Sequence, residues 1–302
     1  MSGADVLIIG GGFLGRALAL RLVADKCRVV VLTPHAEATA WPQGIAIVRG
    51  RQEDKELVSK LLSGCRTVVH AAWGTTPASS ESRPSVEAVG GLTPFLAFLE
   101  TLQRFPETRL LFLSSGGTVY GDPDHLPVTE DAPFRPRSCH GTGKVAAELF
   151  LGISGLRSAI LRPSNIYGPG QVLRSGFGVI RHLLYCASAN IPFQLVGDGS
   201  QLRDYLFVED FVDAAQRLLK HENVVGIFNV GSGVGVSLSE LIDQVGHVTA
   251  RSIRVEMQSA RVGDVSRIVL DITRIRDTVG WVPVTNLESG IANFWRSIKK
   301  MQ

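Results

Sequence analysis

The sequence predicts an α/β protein with a doubly wound parallel sheet and a smaller C-terminal lobe. Three observations lead to this fold class. Short apolar runs alternate with segments of helical periodicity up to about residue 162, as expected when helices cover both faces of a parallel sheet. A glycine-rich loop joins the first run to the first helical segment. The chain has 302 residues, 45% hydrophobic and 20% charged, which is typical of a folded protein with room for two lobes.

The apolar runs in the first half of the chain are rich in β-branched residues and contain almost no polar positions, so they predict buried strands. The predicted strands are residues 6–9, 29–32, 45–48, 68–70, 110–113 and 159–161. Helical spacing of apolar residues predicts helices at 13–24, 53–62, 85–105 and 143–151. Right-handed crossovers through these helices give the doubly wound order.

The alternation ends after residue 162, where Gly, Pro and Asn become frequent. A helix at 177–189, a strand at 227–229 and helices near 208–219, 238–248 and 287–298 are predicted there. We expect a nucleotide-binding domain over 1–162, to which the chain returns at about 205–230. Residues 163–204 and 231–302 then form the smaller lobe, which is expected to bind substrate.

Charge and hydropathy exclude several classes of partner. Lys and Arg (31) nearly balance Asp and Glu (28), so the net charge of +3 predicts neither nucleic-acid binding nor attraction to an acidic membrane. No apolar run reaches the ~18 residues that span a bilayer. Residues 1–12 lack a cationic region and a small-residue cleavage site, so we expect no secretion. The four cysteines lack metal-ligand spacing, so no metal site is predicted. We expect a cytoplasmic protein.

The loop after the first strand, residues 10–15, reads Gly-Gly-Gly-Phe-Leu-Gly and fits the pattern G-x-G-x-x-G. Gly10 permits a tight turn, Gly12 allows the backbone to approach a pyrophosphate, and Gly15 lets the helix pack on the strand. Phe13 and Leu14 begin the helix, whose N-terminal N–H groups and dipole attract the anion. This position in a parallel sheet predicts a dinucleotide cofactor.

The identity of the dinucleotide stays open. An NAD-binding strand usually ends in Asp or Glu, which accepts a hydrogen bond from the ribose 2′-hydroxyl. Here the second strand ends in Leu32, Thr33, Pro34 and His35, with no carboxylate and no arginine for a 2′-phosphate. We expect Thr33 to lie at the cofactor, which is either NAD or NADP.

Further motifs follow in a characteristic order. Residues 113–121 read Leu-Ser-Ser-Gly-Gly-Thr-Val-Tyr-Gly, and a segment with Lys144 enters the next helix. Later come Arg-Pro-Ser-Asn at 162–165, Arg-Asp-Tyr at 203–205, Asn-Val-Gly-Ser-Gly at 229–233 and Arg-Val-Gly-Asp at 261–264. Over nearly its whole length the chain resembles the extended short-chain dehydrogenases/reductases, specifically the NAD-dependent epimerase/dehydratase family.

This resemblance implies transient oxidation of a nucleotide-diphosphate sugar. In the family, a tyrosine removes the proton of a sugar hydroxyl while a hydride passes to the nicotinamide. Lys144 matches the lysine that assists the tyrosine and holds the nicotinamide ribose. Thr118, with Ser115, stands in the active-site loop. The implied substrate contacts are Asn165 at the sugar nucleotide, Arg203 with Tyr205 and Arg261 at the diphosphate, and Asp264 at the nucleoside ribose.

Two positions depart from the family pattern. His140 occupies the place of the tyrosine four residues before Lys144, and Gly116 occupies the usual Ser/Thr position. An imidazole with a pKa near 6.5 accepts a proton at neutral pH without assistance, but it is shorter than a phenol, and geometry decides first. Three hypotheses stay open: His140 is a working acid/base, the site serves a different substrate or reaction, or catalysis is lost.

The leading prediction is a nucleotide-sugar epimerase with bound NAD(P), acting on a UDP-hexose by analogy with the family. One alternative is an NAD(P)H-dependent reductase of 4-keto nucleotide sugars, or a dehydratase-like enzyme. Another is a catalytically silent nucleotide-binding protein. The helices at 85–105 and 143–151 correspond to those that form the family's dimer interface, so a homodimer is also expected.

Overall fold

The computed structural model describes residues 4–35, 41–174, 176–259 and 265–299. The internal contacts divide the chain into two compact units. Unit 1 comprises Met1–Ser114, Cys139–Arg162 and Val212–Phe228, and unit 2 comprises Ser115–Ser138, Pro163–Phe211 and Asn229–Gln302. The sequence-based division places 115–138 in the first domain, whereas these residues group with unit 2. The return of the chain to the first unit begins at Val212.

Twelve strands and eleven α-helices occur in the described ranges. The strands are β1 (Val6–Ile9), β2 (Val29–Thr33), β3 (Ile45–Arg49), β4 (Thr67–His70), β5 (Arg109–Leu113), β6 (Ser158–Pro163), β7 (Asn165–Tyr167), β8 (Phe193–Val196), β9 (Leu202–Phe207), β10 (Gly226–Val230), β11 (Gly235–Ser237) and β12 (Val255–Gln258). The helices are α1 (Phe13–Ala24), α2 (Lys55–Leu62), α3 (Pro84–Glu87), α4 (Thr93–Leu102), α5 (Gly116–Val119), α6 (Cys139–Gly152), α7 (Val179–Ala189), α8 (Val208–Lys220), α9 (Leu238–Thr249), α10 (Thr273–Val279) and α11 (Leu287–Lys299).

The main sheet has seven strands in the order β10-β6-β5-β4-β1-β2-β3. The pairs β1–β2, β2–β3, β1–β4, β4–β5 and β5–β6 are all parallel. The order reverses at β1, since the chain first moves outward to β3 and then crosses back to β4. This is the doubly wound topology predicted from the sequence, which is therefore confirmed.

Both faces of the main sheet are buried at β1, β2, β4, β5 and β6, which explains the continuous apolar character of these strands. Leu7 and Ile9 of β1 join a core with side chains of α2, α4 and α6. Ile8, between them, is also fully buried and belongs to the opposite face because strand side chains alternate. Helix α1 packs against β1, β2 and β3.

Unit 2 contains a three-stranded sheet in the order β11-β9-β7 and a two-stranded parallel sheet of β8 and β12. Its core lies among α7, α9, α11 and β9. None of β7, β8, β9, β11 and β12 was predicted from the sequence. They are short, and β12 is exposed at all four positions, so it carries no apolar pattern.

Two predicted helices differ from the structure in ways that matter for the site. The helix predicted at 85–105 consists of α3, a π-helical turn at Ala88–Leu92, and α4. Helix α6 begins at Cys139, four residues before the predicted start, because packing outweighs the low helix propensity of Gly141 and Gly143. His140 therefore lies in the first turn of α6.

Candidate active site

The glycine loop after β1 shows the geometry that its sequence pattern predicts. Gly10 has a φ of +104°, and a Cβ there would lie 2.7 Å from the backbone nitrogen of Ala72. A Cβ on Gly15 would collide with the carbonyl oxygen of Gly10. The loop therefore lies tightly against α1 and against the segment that follows β4. Only glycine satisfies both contacts.

Gly12 is different, because a Cβ there would meet nothing within 4 Å. It is the N-cap of α1, and no side chain caps the helix. Open space therefore adjoins N–H groups that lack an intrahelical acceptor, at the positive end of the helix dipole. These residues fit a dinucleotide pyrophosphate. Phe13 and Leu14, half-buried, continue from this point into α1.

Thr33 lies at the end of β2, next to the glycine loop. It is buried, and a Cβ on Gly11 would lie 3.2 Å from its Oγ1. The hydroxyl also accepts a hydrogen bond from the backbone N–H of His35 at 3.4 Å. Thr33 therefore lies next to Gly11 of the glycine loop.

Lys144 lies at the carboxyl end of β5, 5% exposed. Its Nζ donates a hydrogen bond of 2.7 Å to the carbonyl oxygen of Leu113. The same ammonium lies 3.9 Å from the ring centroid of Trp73 and 5.0 Å from that of Phe112. Trp73 follows Ala72, which touches Gly10, so a continuous set of contacts joins Lys144 to the glycine loop.

His140 precedes Lys144 by one turn of α6 and is 8% exposed. Its Nδ1 lies 3.4 Å from Oγ1 of Thr75 and 3.9 Å from Oε2 of Glu87. Thr75 Oγ1 in turn donates to Oε2 of Glu87 at 2.5 Å. The imidazole therefore meets a hydroxyl and a carboxylate on its Nδ1 side.

Glu87 is a functional candidate that sequence analysis missed. It ends α3, is 3% exposed, and its Oε1 accepts a hydrogen bond of 2.9 Å from Nε1 of Trp73. A Cβ on Gly91 would lie 2.8 Å from Oε1, and one on Gly143 would collide with the same oxygen. Two glycines on two helical segments thus leave room for this carboxylate. The place of Glu87 directly before the largely apolar stretch 88–99 was the available signal.

The electrostatics of this cluster follow from burial. Burial, and then the charge of Lys144, lower the pKa of His140 from 6.5 to about 3. Burial also lowers the pKa of Lys144 from 10.5 to about 7, while the carboxylates of Glu87 and Glu148 act in the opposite direction. At neutral pH the imidazole is uncharged, and the lysine exchanges readily between charged and neutral forms.

A second histidine, His70, ends β4 and is fully buried. Its Nε2 hydrogen-bonds with Oε1 of Gln52 at 2.5 Å. The rings of Phe95, Phe98 and Phe112 lie 5.0–5.6 Å from the imidazole, centroid to centroid. Burial and the charge of Lys144 lower the pKa of His70 to about 3. Its surroundings are those of a packed core residue.

The predicted hydroxyls after β5 belong to unit 2. Ser115 is half-buried and is the N-cap of α5, without a side-chain capping bond. Thr118 Oγ1 is buried and has no hydrogen-bond partner among the described residues. Gly116, between them, is buried and supplies no hydroxyl. A buried hydroxyl without a partner is costly, so Thr118 is suited to a ligand contact.

The substrate residues predicted in unit 2 lie on neighbouring strands. Asn165 of β7 pairs in register with Tyr205 of β9, and its Nδ2 donates to the carbonyl oxygen of Asp204 at 3.0 Å. Arg203 donates to the backbone carbonyl of Val265 at 2.5 Å. The structure therefore brings these three predicted residues together. The other two, Arg261 and Asp264, lie outside the described residues.

Tyr205 is largely buried, and burial raises the pKa of its phenol to about 12, although Arg203 acts against this shift. The phenol is therefore neutral at physiological pH and is unsuited to act as a base. In the described ranges, no group of three or more His, Cys, Asp or Glu could hold a metal ion. No helix there is both long and apolar enough to cross a membrane.

Comparisons with known proteins agree on one family. The model of the NAD dependent epimerase/dehydratase family matches residues 6–231. The chain is 32% identical to the UDP-glucose 4-epimerase of Mycolicibacterium smegmatis over 293 residues, 93% of this chain and 94% of the relative. It is 30% identical to the dTDP-4-dehydro-6-deoxyglucose reductase of Escherichia coli over 310 residues, 97% of each chain.

Among solved structures, the Thermus thermophilus UDP-glucose 4-epimerase in complex with NAD is similar along almost the whole chain. It has a TM-score of 0.90 and 29% sequence identity, and the match covers 97% of this chain and 98% of that one.

Proposed function

Since the chain belongs to the NAD dependent epimerase/dehydratase family, we propose that this enzyme epimerises the hexose of a UDP-sugar by transient oxidation with bound NAD. The observation that supports this most directly is the contact series at the carboxyl edge of the main sheet. Gly10 touches Ala72, the adjoining Trp73 lies under Lys144, and His140 stands one turn from that lysine. Dinucleotide loop, lysine and imidazole thus meet in unit 1.

NAD, when bound, supplies the acceptor that takes a hydride from a sugar carbon and returns it to the opposite face. Nε2 of His140 accepts the proton of the hydroxyl on that carbon, so the carbon becomes a ketone. Return of the proton from Nε2 with the hydride completes the isomerisation, which consumes no net oxidant. The imidazole is uncharged at neutral pH, so Nε2 has a free lone pair for this step. A pKa of about 3 makes it a weak base, so the step depends on groups that stabilise the imidazolium as it forms.

Lys144 holds the cofactor ribose in this scheme and stabilises negative charge on the sugar oxygen as its proton leaves. Its bond to Leu113 fixes the ammonium at the end of β5. Ser115 and Thr118 take the hydroxyl role that Gly116 cannot fill, and the unpartnered Oγ1 of Thr118 supports this assignment.

Unit 2 supplies the nucleotide contacts in our proposal. Asn165, Arg203 and Tyr205 line the paired strands β7 and β9, and Arg261 and Asp264 follow in the sequence. Two guanidinium groups suit a diphosphate, because each can bind oxygen atoms in a bidentate manner. We assign the diphosphate to the two arginines, the sugar to Asn165, and the nucleoside ribose to Asp264.

The test is incubation of the protein with UDP-glucose and NAD, followed by ¹H NMR of the sugar anomeric protons. We expect signals of the 4-epimer to grow until equilibrium, without net reduction of NAD. Binding of UDP-glucose and NAD without formation of the epimer would contradict the proposed epimerase. That outcome would favour the catalytically silent alternative.

A second candidate function is reduction of a 4-keto nucleotide sugar, which the relationship to the Escherichia coli reductase favours. A reductase consumes one reduced nicotinamide per substrate, whereas an epimerase recycles its cofactor. The absorbance of NADH or NADPH after addition of dTDP-4-dehydro-6-deoxyglucose separates the two. A stoichiometric loss supports the reductase, and a constant absorbance rejects it.

We also propose a homodimer through α6 and the helical segment formed by α3, the π-helical turn and α4. Phe95, Phe98 and Leu102 are buried in unit 1 and cannot contribute to the surface. The exposed apolar side chains on these segments are Val89, Leu149 and Phe150, and Ile153 directly after α6 is also exposed. Light scattering coupled to gel filtration tests the dimer, and a monomeric mass would reject it.

A further inference from the structure

We infer that Glu87, acting through the hydroxyl of Thr75, is a positioning residue that holds the proton of neutral His140 on Nδ1 and keeps Nε2 free for proton transfer. This inference rests on the proposed function, because it assigns Nε2 to the reacting hydroxyl. It goes beyond that function by adding two residues, from the end of α3 and from the loop after β4, to the catalytic arrangement.

The donors and acceptors available on Glu87, Thr75 and His140 determine the direction of the hydrogen bonds that join them. Glu87, as a carboxylate, can only accept, and it already accepts from the indole Nε1 of Trp73 at 2.9 Å. Thr75 has one hydroxyl proton, and this proton points to Oε2 of Glu87 at 2.5 Å. The hydroxyl oxygen can then only accept from His140, whose Nδ1 lies 3.4 Å away. Nδ1 must therefore carry the proton, and Nε2 the lone pair.

The position of Glu87 is specified by several parts of unit 1. The π-helical turn follows it directly, and such turns are frequent at functional sites. Gly91 in that turn and Gly143 in α6 are the residues beside its carboxylate, and a side chain at either would displace it. A carboxylate that is 3% exposed is costly to bury. A role in the site accounts for a buried carboxylate at this position next to His140.

The arrangement also serves the step in which His140 becomes charged. In that step the O–H bond of the sugar hydroxyl would break and an N–H bond would form at Nε2, while NAD, when bound, would supply the acceptor for the hydride of the same carbon. The imidazolium keeps Nδ1–H bonded to Thr75, and Oε2 of Glu87 lies 3.9 Å from Nδ1 as the counter-charge. Proton return from Nε2 then restores the neutral tautomer. In serine hydrolases a buried carboxylate likewise holds the catalytic imidazole in one tautomer and stabilises the imidazolium.

The decisive experiment measures the His140 tautomer by ¹⁵N NMR of the full chain labelled at histidine, without cofactor or substrate. A His140→Gln sample assigns the signals. We expect the wild type and Thr75→Ser to show a protonated Nδ1, because both keep the hydroxyl. We expect Thr75→Val, which is nearly isosteric, to lose this preference. An unchanged tautomer in Thr75→Val would overturn the inference.

Kinetics of Glu87→Gln supply the second readout. Loss of the counter-charge should lower kcat by about 100-fold with little change in KM, since neither Glu87 nor Thr75 is assigned to substrate binding. Glu100→Gln is the matched control, because Glu100 is exposed and forms its ion pair with Lys55 at the surface. A wild-type kcat in Glu87→Gln overturns the inference. Absence of epimerase activity in the wild type rejects the proposed function instead, and the tautomer experiment, which needs no turnover, still tests the hydrogen bond from His140 to Thr75. The same measurement on Glu87→Gln tests Glu87.

Discussion

Two buried histidines of unit 1, His70 and His140, show how similar titration can accompany different surroundings. Each has a pKa lowered to about 3, by burial first and by the charge of Lys144 second. His70 is enclosed by three phenylalanine rings and meets the amide of Gln52. His140 meets a hydroxyl and a carboxylate.

The difference lies in which ring nitrogen stays available. The oxygen of Gln52 can only accept, so His70 carries its proton on Nε2. In our account His140 carries its proton on Nδ1 and has Nε2 free. Both residues have a lowered pKa, but of the two only His140 has a carboxylate, that of Glu87, near its Nδ1. Burial alone therefore does not identify a catalytic imidazole, whereas the partner on its far nitrogen does.

The largest effect that we expect separates the two histidines by activity. His140→Gln removes the general base and should lower kcat of the epimerase by about 10²–10⁴-fold. His70→Leu should leave kcat at the wild-type value, because His70 takes no part in proton transfer. Steady-state kinetics on both variants measure this contrast. Equal losses in the two would remove the distinction between them.

The second expected effect is on stability, where we expect the greater loss in His70→Leu and the smaller loss in His140→Gln. His70→Leu leaves the amide of Gln52 without its partner and should lower the free energy of unfolding by about 1–3 kcal/mol. His140→Gln keeps a polar side chain at a site that is slightly more exposed, so we expect a smaller loss. Urea unfolding of both variants at neutral pH measures the two losses of unfolding free energy. A greater loss in His140→Gln than in His70→Leu would contradict this prediction.

The third prediction concerns pH and treats the histidines alike. Their folded pKa of about 3 lies below the unfolded value of 6.5, so the unfolded chain binds more protons between these limits. The stabilisation is complete well above pH 6.5 and is lost as the pH falls toward 3, with a slope that approaches about 1.4 kcal/mol per pH unit for each histidine between the two pKa values.

Replacing either histidine should therefore flatten the fall in unfolding free energy between pH 6.5 and 5 by that amount. Urea titrations at several pH values compare each variant with the wild type, so that carboxylates common to both cancel. A slope that stays at the wild-type value in one variant would show that its histidine titrates normally in the folded protein.

The smallest expected effect comes from the cation that both imidazoles share. Lys144→Met should raise the pKa of His70 and of His140 together, but less than burial lowers them, since burial is the greater cause in each. NMR titration of the two imidazoles measures the shifts. A change confined to one histidine would show that Lys144 does not act on both.

The main sheet could be predicted because β1, β2, β4, β5 and β6 are buried on both faces and the first turn carries a glycine pattern with a physical reason at each position. Helix α6 was predicted to start too late, since Gly141 and Gly143 disfavour a helix that packing nevertheless imposes. The exposed strand β12 lacked any apolar alternation. Tertiary contacts determine both the start of α6 and the formation of β12, and such contacts cannot be recognised in the local sequence.

The site divides in the same way. His140 and Lys144 stand four residues apart in one segment, so their association could be predicted from the sequence. Glu87 and Thr75 come from other segments, and only the folded chain brings their side chains to Nδ1 of His140. The role of Glu87 therefore could not be predicted, although its place directly before the largely apolar stretch 88–99 was visible in the sequence.

The central claim is a transient oxidation at a sugar carbon in which His140 moves the proton. Its most direct test is the fate of deuterium in UDP-glucose labelled at C4, incubated with the protein and NAD in ordinary water. We predict that the 4-epimer forms with the deuterium retained at C4, and more slowly than from unlabelled substrate. An epimer that carries solvent hydrogen at C4 would contradict the account.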